Sequence, residues 1–109
     1  MNQTIEEILK NKKVLILPIK KQWFDLIKQR VKREEYREIK PYYDSRLLDK
    51  ENKEEFRHYD YVLFKNGYAS NSPTLLVELK GIRMGAGKPS WGAKLNKVYY
   101  VLELGKIVG

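Results

Sequence analysis

The densest cluster of groups able to do chemistry is Lys32-Arg33-Glu34-Glu35-Tyr36-Arg37-Glu38-Ile39-Lys40. Cations and carboxylates in such close succession can fix one another's position and hold a phosphate or a polar base edge. On a strand, the two-residue period puts Glu35 and Arg37 on one face and Glu34, Tyr36 and Glu38 on the other. Lys32 lies in the turn before that strand, where periodicity does not set its direction. If Lys32 and Glu35 converge, each stabilises the charged form of the other. A Lys32 whose pKa is depressed by burial would serve as general base or electrostatic stabiliser, with Glu35 relaying protons. The other reading is a surface ladder of ion pairs, each worth little. The pattern alone leaves both open.

A second cluster is the glycine-rich stretch Gly85–Ala93 (GAGKPSWGA). It is not a triphosphate-binding loop, because Ile82 stands where the first glycine would be and Pro89 where a hydroxyl would hold magnesium. Its glycines still let backbone amides approach an anion, with Lys88 and Trp91 beside them. A Trp91 that simply covers one end of a barrel is the rival reading. Tyr42, Tyr43, Tyr68 and Trp91 are interleaved with Lys40, Arg46, Lys88 and Lys94, a mixture that suits unpaired bases stacking on rings while lysines meet phosphates. The candidate site is therefore Lys32, Glu35, Arg37, Lys40 and Tyr42 on one side, with Lys80, Arg83, Lys88 and Trp91 as the opposite wall.

Other chemistries are narrowed by composition. The 109 residues include no cysteine and a single histidine, His58, which excludes thiolate chemistry and disfavours histidine metal sites and Ser-His-Asp triads. Glu34, Glu35 and Glu38 lack a second cluster to complete a magnesium shell, so neither metal nor cofactor is indicated. The net charge is +8. Residues 1–55 carry 14 basic and 11 acidic side chains, whereas residues 56–109 carry 8 and 3, so the C-terminal half is basic with little local neutralisation. Such a field attracts polyanions. No apolar run reaches the roughly 20 residues that span a bilayer, and no signal-peptide core precedes the domain, so a cytoplasmic protein without membrane contact is expected.

The elements that must position these groups follow from hydropathy. Residues 2–10 suit a short helix capped by Thr4. Val14–Leu17 reads as a buried strand ended by Pro18, and Trp23, Phe24, Leu26 and Ile27 mark an amphipathic helix with both aromatics expected in the core. Arg33–Ile39 reads as a strand, Tyr42–Glu55 as a polar helix fading into a loop, and Tyr59–Lys65 as a strand before an Asn66-Gly67 turn. Leu75–Ile82 and Val98–Leu104 complete five strands. The expected fold class is α+β: a mixed sheet of about five strands curled toward a barrel, with one or two flanking helices. One domain fits this length, residues 13–109, after an extension or short helix over 1–12.

The segment WFDLIKQRVKREEYREIKPYYDSRL resembles the opening of an ASCH domain, a relative of the PUA RNA-binding fold. The hallmark there is a helix running into Gly-x-Lys-x-x-(Glu/Thr)-x-Arg, and Lys32, Glu35 and Arg37 fall on its lysine, acidic and arginine positions. The glycine position is Arg30. Phe64–Tyr68, Gly85–Ala93 and Tyr99–Val108 are similar to stretches of short bacterial and phage members. The resemblance implies a small β-barrel with a cleft beside the motif strand, and RNA-linked function. Some members are similar to deacylases of a modified cytidine, and ribonuclease activity is attributed to others. The deacylase-like members carry Thr at the Glu35 position and a further carboxylate in an insertion that is absent here, with Glu78 the nearest substitute.

The expected function is binding of RNA or a nucleotide-like anion in a basic cleft beside Lys32, Glu35 and Arg37, with DNA also possible. The alternatives are a small hydrolase of a modified nucleoside or of RNA, and an accessory module that binds an acidic protein. Neither RNA over DNA nor an oligomeric state can be read from the residues.

Overall fold

In a computed structural model, which describes residues 4–109, each apolar run of the sequence becomes a strand of one sheet. The strands are β1 (Val14–Pro18), β2 (Glu34–Glu38), β3 (Tyr61–Lys65), β4 (Thr74–Gly85) and β5 (Tyr99–Ile107), in the spatial order β1-β3-β4-β5-β2. β1 runs parallel to β3 and every other pairing is antiparallel. Three helices accompany the sheet: α1 (Ile5–Asn11), α2 (Lys21–Lys28) and α3 (Pro41–Leu47). The fold is α+β, a mixed five-strand sheet curled into a half-barrel.

Curling originates in β4. Its first half pairs with β3 and its second half with β5, with register shifts between Val77 and Leu79 and between Leu79 and Gly81. Such irregularities bend a strand and increase its twist. The concave face is filled by Leu15 and Leu17 from β1, Val62 and Phe64, Leu75, Val77 and Leu79, and Tyr100, Leu102 and Leu104. Phe24 and Ile27 of α2 and Leu47 of α3 close over it. At roughly 1.5–3 kcal/mol for each fully buried large apolar side chain, this layer is the main source of stability. On the other face, Ile8 of α1 packs against Leu63 and Leu76. Thr4 caps α1 as the sequence suggests, its hydroxyl accepting from the Glu7 amide.

Two elements differ from expectation. The polar helix expected over Tyr42–Glu55 starts one residue earlier, at Pro41, and ends at Leu47. Proline at the first turn gives up no hydrogen bond and its φ is already helical. That helix is short: Leu48 returns to extended backbone and pairs in an isolated bridge with Phe56. The half-barrel also stays open between its edge strands, β1 and β2, which do not pair.

Candidate ligand-binding cleft

The site begins where α2 ends. Arg30 adopts a left-handed φ of 64°, and the amides of Val31 and Lys32 both donate to the Leu26 carbonyl, at 3.0 and 3.1 Å. This reversal, a common helix ending, turns Lys32 inward, and its side chain is 0% exposed. Strand alternation then sends Glu35 and Arg37 to the same interior face, opposite Leu102 and Tyr100 of β5. The three charged residues Lys32, Glu35 and Arg37 are all buried.

Each charge has partners. Lys32 Nζ donates to the Trp91 carbonyl at 2.7 Å, lies 3.2 Å from Glu35 Oε1, and sits over the rings of Tyr36 and Trp23 at 4.7 and 5.2 Å. Arg37 reaches Glu35 Oε2 through Nε at 3.1 Å and Nη2 at 2.5 Å. Its Nη2 also donates to the Pro18 carbonyl at 2.7 Å, and Nη1 to the Tyr43 hydroxyl at 3.1 Å. Desolvation pushes the Lys32 pKa below the ordinary lysine value, although Glu35 opposes it. For Arg37 burial acts in the same sense, but Glu35 and Tyr43 outweigh it and the pKa rises. Two basic side chains thus flank one carboxylate inside the fold.

The loop between β4 and β5 closes one side. Tyr36 Oη donates to Glu34 Oε1 at 2.7 Å and accepts from the Lys88 amide at 2.9 Å. Burial, followed by smaller effects from its neighbours, raises the Tyr36 pKa to about 12. Gly87 lies against the Tyr36 ring, so close that a Cβ there would sit 2.6 Å from it. Gly92, at φ 104°, lets the chain pass over the Trp23 indole, and Lys88 Nζ stacks 4.3 Å over the Trp91 ring.

Between this loop, α2, β2 and α3 lies an open cleft of about 590 Å³. Glu35 and Arg37 line it together with six aromatic residues, Trp23, Tyr36, Tyr43, Tyr68, Trp91 and Tyr99, of which Tyr68 is 91% exposed. Lys20 and Lys40, both exposed, stand at its mouth with Glu38.

The candidate residues divide accordingly. Glu35, Arg37, Lys40 and Trp91 line the cleft. Lys32 lies behind it, sealed by the Trp91 carbonyl and two rings, and Lys88 lies on the outer side of the Trp91 ring. Tyr42 is turned away, stacked under the Arg46 guanidinium at 3.8 Å, because it stands a third of a helical turn from cleft-facing Tyr43. Lys80 and Arg83 do not form the opposite wall. Lys80 alternates with core residue Leu79 and is exposed beside Gly105. Arg83 lies opposite Val101, on the face away from Glu35 and Arg37, where it pairs with Glu34 at 3.1 Å and Glu103 at 3.7 Å. Glu78 pairs opposite Tyr61 and borders a separate hollow with Lys12 and Asp60, so it supplies no carboxylate to the cleft.

Sequence reasoning assigned Trp23 to the core alone and missed Tyr99, Lys20 and the Pro18 carbonyl. Trp23 packs against the core with one part of its indole and lines the cleft with another. Its position at the border of the apolar arc of α2 is the available signal. Nothing local marks Tyr99 or Pro18, which arrive from other strands.

His58 is exposed and pairs with Asp60 at 2.9 Å, remote from any nucleophile–base arrangement with the triad. Among the described residues no group of three or more His, Asp or Glu side chains is placed to hold a metal ion, and no helix is long and apolar enough to cross a membrane. Compared with family models, curated proteins and solved structures, the chain gives no match in any of the three.

Proposed function

We propose that this protein binds single-stranded RNA or a nucleotide in the aromatic cleft, as an ASCH-like, PUA-related domain. The observation that carries the reading is the fixed Arg37–Glu35 pair in a cleft lined by six aromatic residues and by the exposed lysines Lys20 and Lys40. Bases stack on such rings, and cations at the mouth meet the backbone. The volume lies within the range of small-molecule sites. The left-handed Arg30 supports the family reading, since the residue aligned with the motif glycine adopts the backbone glycine favours.

The test is fluorescence anisotropy of a labelled single-stranded RNA at several salt concentrations, with Lys20→Ala, Lys40→Ala protein alongside. These exposed lysines can be removed without touching the triad. Binding should weaken with salt along a log–log line, and each lysine that meets a phosphate should contribute about 0.7 to the slope. Wild-type binding indifferent to salt would remove the reading. A slope unchanged by the double substitution would place attraction elsewhere on the basic surface. A labelled single-stranded DNA in the same titration compares the two backbones.

A second reading is hydrolysis of a modified nucleoside or of RNA, favoured by one observation: Lys32 is a buried amine with a depressed pKa beside a carboxylate. In that reaction Lys32 acts as base or electrostatic stabiliser once the Trp91 carbonyl releases it. Turnover unchanged in Lys32→Ala protein would eliminate this role.

A further inference from the structure

We infer that the cleft takes an unpaired nucleobase edge-first, its hydrogen-bonding edge against Arg37 and Glu35, with the phosphate outside among the lysines of the mouth. This rests on the nucleotide-binding reading above and assigns its orientation.

The argument is a count of hydrogen-bonding capacity. A guanidinium has five N–H groups. Among the described residues, Nε donates to Glu35, Nη2 to Glu35 and Pro18, and Nη1 to Tyr43. One Nη1 hydrogen is left. Tyr43 Oη accepts that bond, so its own proton remains to be donated. Glu35 Oε2 is taken twice by Arg37, whereas Oε1 meets Lys32 alone and keeps accepting capacity. These groups, the floor of the proposed site, thus offer donors beside an acceptor, held rigidly in a buried setting.

A phosphate presents acceptors only and would face the Glu35 carboxylate. The ammonium that could offset this, Lys32, is committed to Trp91, Glu35 and two ring faces. A base edge presents donors and acceptors side by side, which matches the floor. The aromatic residues of the cleft receive its faces, and the exposed Lys20 and Lys40, the latter resting 5.6 Å over the Tyr43 ring, meet the sugar-phosphate.

Four titrations, with labelled strands of equal length, test this by anisotropy. They use a uridine–guanosine RNA, the same strand with 3-methyluridine and 1-methylguanosine, a fully abasic ribose-phosphate strand, and the RNA again with Tyr43→Phe protein. The methylated bases stay neutral and still stack but lose the ring N–H of the Watson–Crick edge. The abasic strand should bind about 5- to 100-fold more weakly than RNA. Methylation and Tyr43→Phe should each cost about 2- to 10-fold, the loss of a hydrogen bond, with the salt slope unchanged. Equal affinity for RNA and abasic strands would overturn the inference by placing phosphate at the floor, while leaving nucleic-acid binding intact. Abasic weakening without methylation weakening would replace edge-first entry by stacking alone. Failure of every strand to bind would remove the underlying reading instead.

Discussion

The guanidinium of Arg37, on the edge strand β2, donates to the carbonyl of Pro18, on the opposite edge strand β1, at 2.7 Å. No backbone ladder joins these two strands, so a side chain spans the opening of the half-barrel, and the cleft lies over this seam. The same guanidinium neutralises Glu35 and orients Tyr43. The seam and the proposed binding floor therefore share one residue.

Arg37→Gln should accordingly destabilise the fold by about 3–5 kcal/mol, because it breaks the seam and leaves Glu35 with only Lys32 in a buried setting. Tyr43→Phe removes one neutral partner and should cost no more than about 1.5 kcal/mol. Urea unfolding of the two variants checks the contrast. Equal losses would mean that the seam contributes nothing beyond a single hydrogen bond.

Two phenols, the buried Tyr100 and the half-buried Tyr36, predict an alkaline limb of stability. Burial, then hydrogen bonding to Asp44, raises Tyr100 to about 12, and Tyr36 also stands at about 12. Both remain protonated in the folded chain while unfolded phenols ionise near 10. Their contribution is complete below pH 10 and is lost as pH rises through 12. Lys32 works in the opposite sense: its folded pKa is depressed, so the penalty of burying its charge is relieved as pH approaches 10.5. Stability should climb toward pH 10 and then fall. Phenolate absorbance should show a late-titrating phase from Tyr36 and Tyr100, and Tyr36→Phe with Tyr100→Phe should remove it.

Arg30 predicts a stabilising substitution. A side chain in the left-handed region costs about 1–2 kcal/mol, part of which glycine offsets by its own unfolded-state entropy. Arg30→Gly should raise stability by about 0.5–1 kcal/mol, read as a higher urea midpoint with an unchanged slope. A loss would mean that the Arg30 side chain makes a contribution larger than its backbone strain.

Much of the site was legible because β2 is regular. Alternation alone places Glu35 and Arg37 together, and the five strands and the Thr4 cap follow from hydropathy and local chemistry. Illegible parts depend on non-local geometry. Lys32 leaves a turn, so its direction needed the left-handed Arg30 and the Leu26 carbonyl. Arg83 lies opposite Val101, and that register follows the irregularities of β4 near Gly81, a glycine that marks an interruption in the sequence but not the resulting register. Tyr42 and Tyr43 are indistinguishable by composition, and only the seating of α3 decides which ring enters the cleft.

The loop glycines give the sharpest separation between neighbouring positions. A Cβ on Gly87 would lie 2.6 Å from the Tyr36 ring and 2.7 Å from the Ala93 Cβ, both held within packed structure. A Cβ on Gly85 would meet only the terminal nitrogen of Arg83, a flexible and partly exposed side chain that can move aside. Gly87→Ala should therefore cost about 1–3 kcal/mol, typical of overpacking, and should displace Tyr36 from the Lys88 amide. Gly85→Ala should fall within roughly 0.5 kcal/mol of wild type, as for surface changes. Thermal unfolding of the pair measures the difference, and Trp91 emission in a Trp23→Phe background reports whether the loop has shifted. If both alanines are tolerated, the loop is not seated on Tyr36, and the wall that encloses the cleft must be assigned to other residues.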